Sequence, residues 1–470
     1  MDRSLVLRKQ QMLEQCQVRP DRVARLPGEL SRFLDPFAAR LSHAEQRRHA
    51  LQFCEGLLSN MNRKNTEAIA CEHDQDRHNL QHFMGASTWD HRPLIDELCR
   101  QVGQQLGEPD GVLVIDPSGF PKQGQKSVGV ARQWCGRSGK VANCQVGIFM
   151  AYVSRREHVL CDFRLYLSEE WAKDRERREQ AGVPRTVKFQ TRHTQALEMI
   201  LSRRKMLPHA WITADDEFGK VGHFRRDLHD VGEHYVLAIP SNITARVLDN
   251  KEIPRCGPGG PTARPFVSVT SLRAQLPANA WQRIDVRDGE KGPLLVNVAI
   301  VPHVQAKADR RLLKYPEVLI FTRYQDDSGV RHDDTYLSNA AAGTPAAEFA
   351  RVISAERRVE EAIRRAKSEA GLADYQVRTW RGWHHHQTLS LIATWFLLHE
   401  MLQERQLTPA LTVPQVRQMI ARTLQQQWDL LHPEAIANSM TRQLKRNETS
   451  RFYHYIKRKR LPPLRLEQRR

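Results

Sequence analysis

Residues 111–116 read GVLVID and residues 210–216 read AWITADD. Each is a short apolar, partly β-branched run closed by an acid, the pattern of a buried strand. If both strands lie in one parallel part of a sheet, Asp116 and Asp215 converge at its C-terminal edge, where α/β sheets place their sites. Phosphodiester cleavage suits such an edge, because two divalent cations about 4 Å apart can activate one oxygen and stabilise another. Carboxylates on rigid elements hold hard cations of this kind. Local sequence leaves other readings open: Asp116 precedes PSG and can begin a turn, and Asp215 competes with Asp216 and Glu217.

A third carboxylate must come from elsewhere. In ERRVEEAIRRAK, residues 356–367, Glu360 and Lys367 are two helical turns apart and share a face, with Arg364 between them. The competing reading is a solvated helix in which Glu360 pairs with Arg364 at i, i+4.

Outward from these runs the chain changes character several times. Residues 28–107 read as helical: Ser42 and Glu45 form a capping-box start before Ala50, Leu51, Cys54, Leu57 and Leu58. Arg47, Arg48, Arg63 and Lys64 lie on or between these helices, giving a DNA-binding module or a helical cap with a solvated basic face. Strand-like NCQVGIFMAYVS and HVLCDFRLYLS follow GVLVID, then a helix over 191–204, AWITADD, a helical stretch over 218–230, and YVLAIP. CGPGGPTARP is turn-forming, while LLVNVAIVPHV and EVLIFTR are strands of a β-rich segment between about 243 and 339. From about residue 347 the chain is helical, and RFYHYIKRKRLPPLRLEQRR at its end reads as a flexible basic tail.

Composition narrows the partner. Among 470 residues, 72 Lys and Arg face 54 Asp and Glu, a formal net charge of +18, with a sequence pI near 9.8. Such a balance favours a polyanion, since each basic side chain at a phosphate releases a counterion. Hydrophobic residues make up 40%, enough for a sizeable core. No apolar run approaches the ~20 residues that span a bilayer. The 8 cysteines are scattered and fit buried thiols of a reducing cytoplasm.

Three signals carry less than they suggest. GFPKQGQKS, residues 119–127, nearly spells a P-loop, but Gln125 separates Gly124 from Lys126 and a strand follows. His384, His385 and His386 point in three directions on a helix and cannot share a metal. Trp281 is a core residue of the β-rich segment or a stacking platform for a distorted base.

Taken together, the blocks resemble the DDE-type transposases of bacterial insertion sequences, specifically the group with a β-rich insertion before the catalytic glutamate. GLLSNMNRKNTEAIA and DQDRHNLQHFMGASTWD resemble the N-terminal region of that family. VIDPSGFPKQGQKSVGVARQWCGRSGKVANCQVGIFMAY and WITADDEFGK resemble its first and second aspartate blocks. VEEAIRRAKSEAGLADYQVRTWRGWHHHQTLSLIATWFL resembles the glutamate block. The resemblance implies an α/β fold, an RNase H-like core with a β-rich insertion and helical flanks. It implies Asp116, Asp215 and Glu360 as catalytic, metal-binding residues for Mg²⁺, with Mn²⁺ able to substitute. Lys367 matches the lysine of the family's tyrosine, arginine, glutamate and lysine signature. The tyrosine and arginine positions fall on Ile353 and Glu356, leaving Arg357 or Arg358 for a phosphate contact.

The division expected on this basis is a helical DNA-binding region over 1–107, a catalytic core over 108–242, an insertion over 243–345, the rest of the core over 346–400, and a basic helical region over 401–470. Lys122, Lys126, Arg132, Arg364 and Lys367 are the expected DNA contacts. The implied reaction cuts transposon ends and joins their 3′-hydroxyls to target DNA. Double-stranded DNA is the partner, a homodimer bridges the two ends, no membrane is involved, and the place is the bacterial cytoplasm at the nucleoid. Two other functions share this framework: a catalytically silent, domesticated DNA-binding protein, and an RNase H-like nuclease that cuts without joining.

Overall fold

The computed structural model describes residues 3–73, 77–248, 265–289, 292–307, 312–325 and 328–465. The turn-forming run at 256–264, with Cys256, and the last five residues of the basic end lie outside the described residues. Contacts group the chain into two units. One is helical and comprises Met1–Trp89, Glu369–Val377 and Phe396–Arg470; the other is mixed α/β and comprises Asp90–Ser368 and Arg378–Trp395.

In the helical unit, the Pro20–Ala38 helix buries Leu26, Leu30, Leu34 and Phe37, an i, i+4, i+8, i+11 stripe. The next helix, Ala44–Leu58, begins one residue later than Ser42 predicts. His43 and Gln46 form the reciprocal cap, because Gln46 Oε1 accepts the His43 N–H. Asn65 caps the Thr66–Glu72 helix through the Ala68 N–H at 2.9 Å. The Ala435–Lys457 helix absorbs the first part of the expected tail. Glu448 pairs with Arg451 at 2.6 Å, one turn apart, and the prolines that would stop a helix come only at 462 and 463.

The α/β unit is built on a sheet of twelve strands among the described residues. They are β1 (Val112–Pro121), β2 (Ala131–Cys135), β3 (Lys140–Val153), β4 (His158–Leu165), β5 (Trp211–Ala214) and β6 (Tyr235–Ala238). Then come β7 (Thr244–Val247), β8 (Val267–Ser268), β9 (Trp281–Gly289), β10 (Gly292–Lys307), β11 (Glu317–Gln325) and β12 (Arg331–Ser338). β1, β5 and β6 run parallel, and the long β3 lies antiparallel to β1 with β2 and β4 sharing its other edge. The order β4-β3-β1-β5-β6 is that of an RNase H-like core. Val112 to Ile115 of β1 are at most 1% exposed, which is why that run is apolar without alternation.

The β-rich segment extends this same sheet: β12 pairs antiparallel with β6, and β11, β10, β7 and β8 follow in order. Its core gathers Ile239, Ala299, Leu319, Phe321 and Leu337. β10 is shared between β9 and β7 across a bulge between Val301 and Val304, where His303 takes φ 55°. After β12 the chain enters the Ala346–Glu369 helix, which buries Phe349, Val352, Val359 and Ile363.

Candidate active site

The parallel ladder between β1 and β5 ends at the pair Ile115 and Ala214. Asp116 and Asp215 are the next residues on neighbouring strands, which lie about 4.8 Å apart. β1 does not stop at Asp116, as its Pro-Ser-Gly continuation suggested. It runs on to Pro121, held by β3 alone from the pair Asp116–Phe149 to the pair Pro121–Cys144. Asp215 begins a one-turn helix over Asp216–Gly219, and its Oδ1 accepts the Glu217 N–H at 3.1 Å. That turn needs Gly219, because a Cβ there would lie 1.8 Å from the Ala238 carbonyl oxygen of β6. Glu217 is occupied by Arg192 at 2.7 Å, and Asp216 is exposed at the lip.

Glu360 sits on the Ala346–Glu369 helix and opens onto a cleft of about 710 Å³. Asp215, Asp216 and Glu356 line the same cleft, as do Tyr324, His332 and Asp334 of the β-rich segment. Lys367 turns towards β1, donating from Nζ to Ser118 Oγ at 2.7 Å, with the ammonium 5.0 Å from the Phe120 ring centre. Arg364 is exposed and forms no ion pair with Glu360. Of the two arginines expected near phosphate, Arg357 lies over the Tyr324 ring at 3.9 Å and lines the cleft. Arg358 points to the Ser154 carbonyl at 3.5 Å.

The remaining expected DNA contacts lie apart from the cleft. Lys122 is six residues beyond Asp116, roughly 20 Å along an extended chain. Burial brings its ammonium down to about 8. Its carbonyl accepts from Asn143 Nδ2 at 2.7 Å, and Arg132 stands opposite Asn143 in register. Lys126 and Arg132 are exposed. No helix follows GFPKQGQKS; the chain passes into β2. His384, His385 and His386 are buried, and His384 Nδ1 contacts the Trp380 carbonyl at 2.8 Å. Trp281 is half-buried against the core of the β-rich segment, with the Arg323 guanidinium 4.2 Å from its ring. The seven cysteines among the described residues are unpaired, and five of them are buried.

The electrostatics of the edge are those of crowded acids. Burial first, then the charges of Asp215 and Glu360, raise the Asp116 carboxyl well above its ordinary range, against the pull of Lys367. Burial, then Glu217 and Asp216, push Asp215 up to about 6. Glu356, which sequence reading noted only as a departure from a signature, is raised well above its ordinary value. Burial acts on it first, then Asp215, Asp116, Asp334 and Glu360. Among the described residues no three His, Cys, Asp or Glu side chains are drawn tightly enough to enclose an ion. The donor chemistry nevertheless suits a hard divalent cation: these acids would offer it carboxylate oxygens, and their mutual repulsion is what such a charge relieves.

Residues 36–293 match the DDE superfamily endonuclease family. The chain belongs to that family. The matched stretch contains Asp116 and Asp215 and ends before Glu360. A relative is the probable transposase for insertion sequence element IS701 of Microchaete diplosiphon, 30% identical over 201 residues, 42% of this chain. The chain spans about half the length of that curated relative, 50%. No described helix is long and apolar enough to cross a membrane.

Proposed function

We propose that the protein is the transposase of an insertion sequence, cutting transposon ends and joining their 3′-hydroxyls to target DNA. The observation that carries this reading is the placement of Asp116 and Asp215 side by side just past the end of the parallel ladder of β1 and β5, with the Glu360 helix tied to β1 through Lys367 and Ser118. Asp116, Asp215 and Glu360 are the ligands for Mg²⁺, with Mn²⁺ acceptable in its place. Bound there, the cation would supply the activation of an attacking hydroxyl and the stabilisation of a leaving oxygen.

The chain's own residues do the rest. Lys367 offsets the charge on Asp116 and fixes the helix that bears Glu360. Arg357 and Arg364 serve phosphates at the cleft, and Lys122, Lys126 and Arg132 serve the duplex further along β1 and β2, each contact adding salt-dependent affinity. Residues 108–242 and 346–400 carry the catalysis, 243–345 are inserted between them, and 1–107 and 401–470 bind and bridge DNA. A homodimer holds two ends together in the bacterial cytoplasm.

The test is Mg²⁺-dependent cleavage and strand transfer on DNA bearing the element's ends, comparing wild type with Glu360→Gln. Wild type cuts and joins, while the variant binds ends and does neither. Cutting without joining would make the protein a nuclease on this fold. Binding without cutting, in Mg²⁺ and Mn²⁺ alike, would make it a DNA-binding protein.

A further inference from the structure

We infer that Glu356 is a fourth carboxylate ligand of the divalent-cation site, an inference that rests on reading Asp116, Asp215 and Glu360 as the other three. Glu356 precedes Glu360 by one turn on the same helix, so both side chains leave one face. Both line the cleft that Asp215 lines. Glu360 is exposed at its mouth, whereas Glu356 is the more enclosed of the two.

Glu356 also lacks what other enclosed acids of this unit have. Asp162 is held by Arg203 and Arg164, each at 2.7 Å, and Glu317 by Arg225 at 2.8 Å. Among the described residues Glu356 makes neither a hydrogen bond nor an ion pair, and the charges that weigh most on it are carboxylates. An enclosed carboxylate crowded by other carboxylates is costly unless a cation joins them. The rise of ~6 Å between residues four apart on a helix allows two carboxylates to reach one ion or two neighbouring ions. The helix therefore contributes a pair of ligands, Glu356 deep in the cleft and Glu360 at its mouth.

The test is direct Mn²⁺ binding to the full chain without DNA, read by the electron paramagnetic resonance of free Mn²⁺. Wild type, Asp116→Asn, Glu356→Gln and Glu356→Asp are compared, with melting temperatures taken with and without Mn²⁺. In Glu356→Gln the Mn²⁺ affinity falls at least tenfold or one equivalent is lost. The Mn²⁺-induced rise in melting temperature shrinks, while the metal-free melting temperature holds or increases. Glu356→Asp, which keeps the charge, recovers part of the binding. If Asp116→Asn loses Mn²⁺ but Glu356→Gln binds as wild type does, this inference is overturned and the proposed function stands. A lower metal-free melting temperature in Glu356→Gln with Mn²⁺ affinity intact makes the residue structural and also overturns it. If wild type binds no Mn²⁺, or Asp116→Asn binds it undiminished, both readings fall.

Discussion

Lys367 Nζ lies 2.7 Å from Ser118 Oγ, joining the helix that carries Glu360 to the strand that carries Asp116. Ser118 is two residues beyond Asp116 and so stands on the same face of β1. The ammonium is also the cation that most opposes the rise of the Asp116 carboxyl. One side chain thus does two jobs at once, setting distance and balancing charge. Lys367→Gln is expected to lower single-turnover cleavage by about 100-fold. Ser118→Ala, which removes only the hydroxyl, should cost less than ~10-fold, because the charge remains. Equal losses in the two variants would assign the whole effect to geometry.

Asp116→Asn removes one charge from a crowded set. The folded protein without metal should melt at a higher temperature than wild type, since burial and the charges of Asp215 and Glu360 disfavour the ionised form. Cleavage should vanish in the same variant. Calorimetry in a chelating buffer, beside a nicking assay, reads both.

Gly219→Ala places a methyl group against the Ala238 carbonyl oxygen of β6. The turn that presents Asp215 must move, while the basic surfaces are untouched. Cleavage should fall by at least ~10-fold, as a displacement of about 1 Å is enough for that. Retained affinity for DNA in a gel-shift titration distinguishes this from unfolding.

Much of this was legible in the sequence, and the reasons differ by residue. GVLVID and WITADD announce buried strands because both sheet faces are covered, and their terminal acids then mark the edge. Glu360 and Lys367 share a helix face by spacing alone, yet only the structure shows Lys367 reaching Ser118 and Arg364 left in solvent. Glu356 was hidden because a charged residue on a helix ordinarily signals a solvated face. Nothing local reveals that β12 pairs with β6, since that ladder joins Tyr336–Ser338 to Val236–Ala238. β1 runs on to Pro121, five residues beyond the acid that closes GVLVID, and so carries Lys122 away from Asp116.

Arg225 and Glu317 form a buried pair at 2.8 Å between the Gly222–Asp230 helix and β11. The Tyr235 hydroxyl donates to the same carboxylate at 2.8 Å, and Arg225 also donates to the Gly219 carbonyl. Glu317→Gln leaves an enclosed guanidinium uncompensated and should destabilise the fold by about 3–5 kcal/mol. Urea unfolding reads the loss, and a change below ~1 kcal/mol would mean the pair is dispensable.

The helical unit has its own pH response. Glu400 is 6% exposed, and burial, then the charges of Glu29 and Glu404, raise it to about 7 from an ordinary 4.5. A raised carboxyl makes the folded state bind more protons than the unfolded one. Its stabilising contribution is therefore present below pH 4.5 and lost as pH rises through about 7, by at most ~3 kcal/mol. Glu400→Gln should flatten the wild-type decline in stability across that window. A parallel decline in the variant would place the titration elsewhere.

The continuity of the sheet from β6 into β12 also sets the order in which the proposed site can be assembled. A ribosome delivers Asp116 and Asp215 early, on strands that can pair at once. The helix with Glu360 comes only after the chain has gone out through the β-rich segment and returned along β12 to dock beside β6. A nascent or prematurely ended chain thus holds two acids and no helix to complete them. If the proposed site cuts DNA, a chain that stops short of this return cannot, because the third acid is missing.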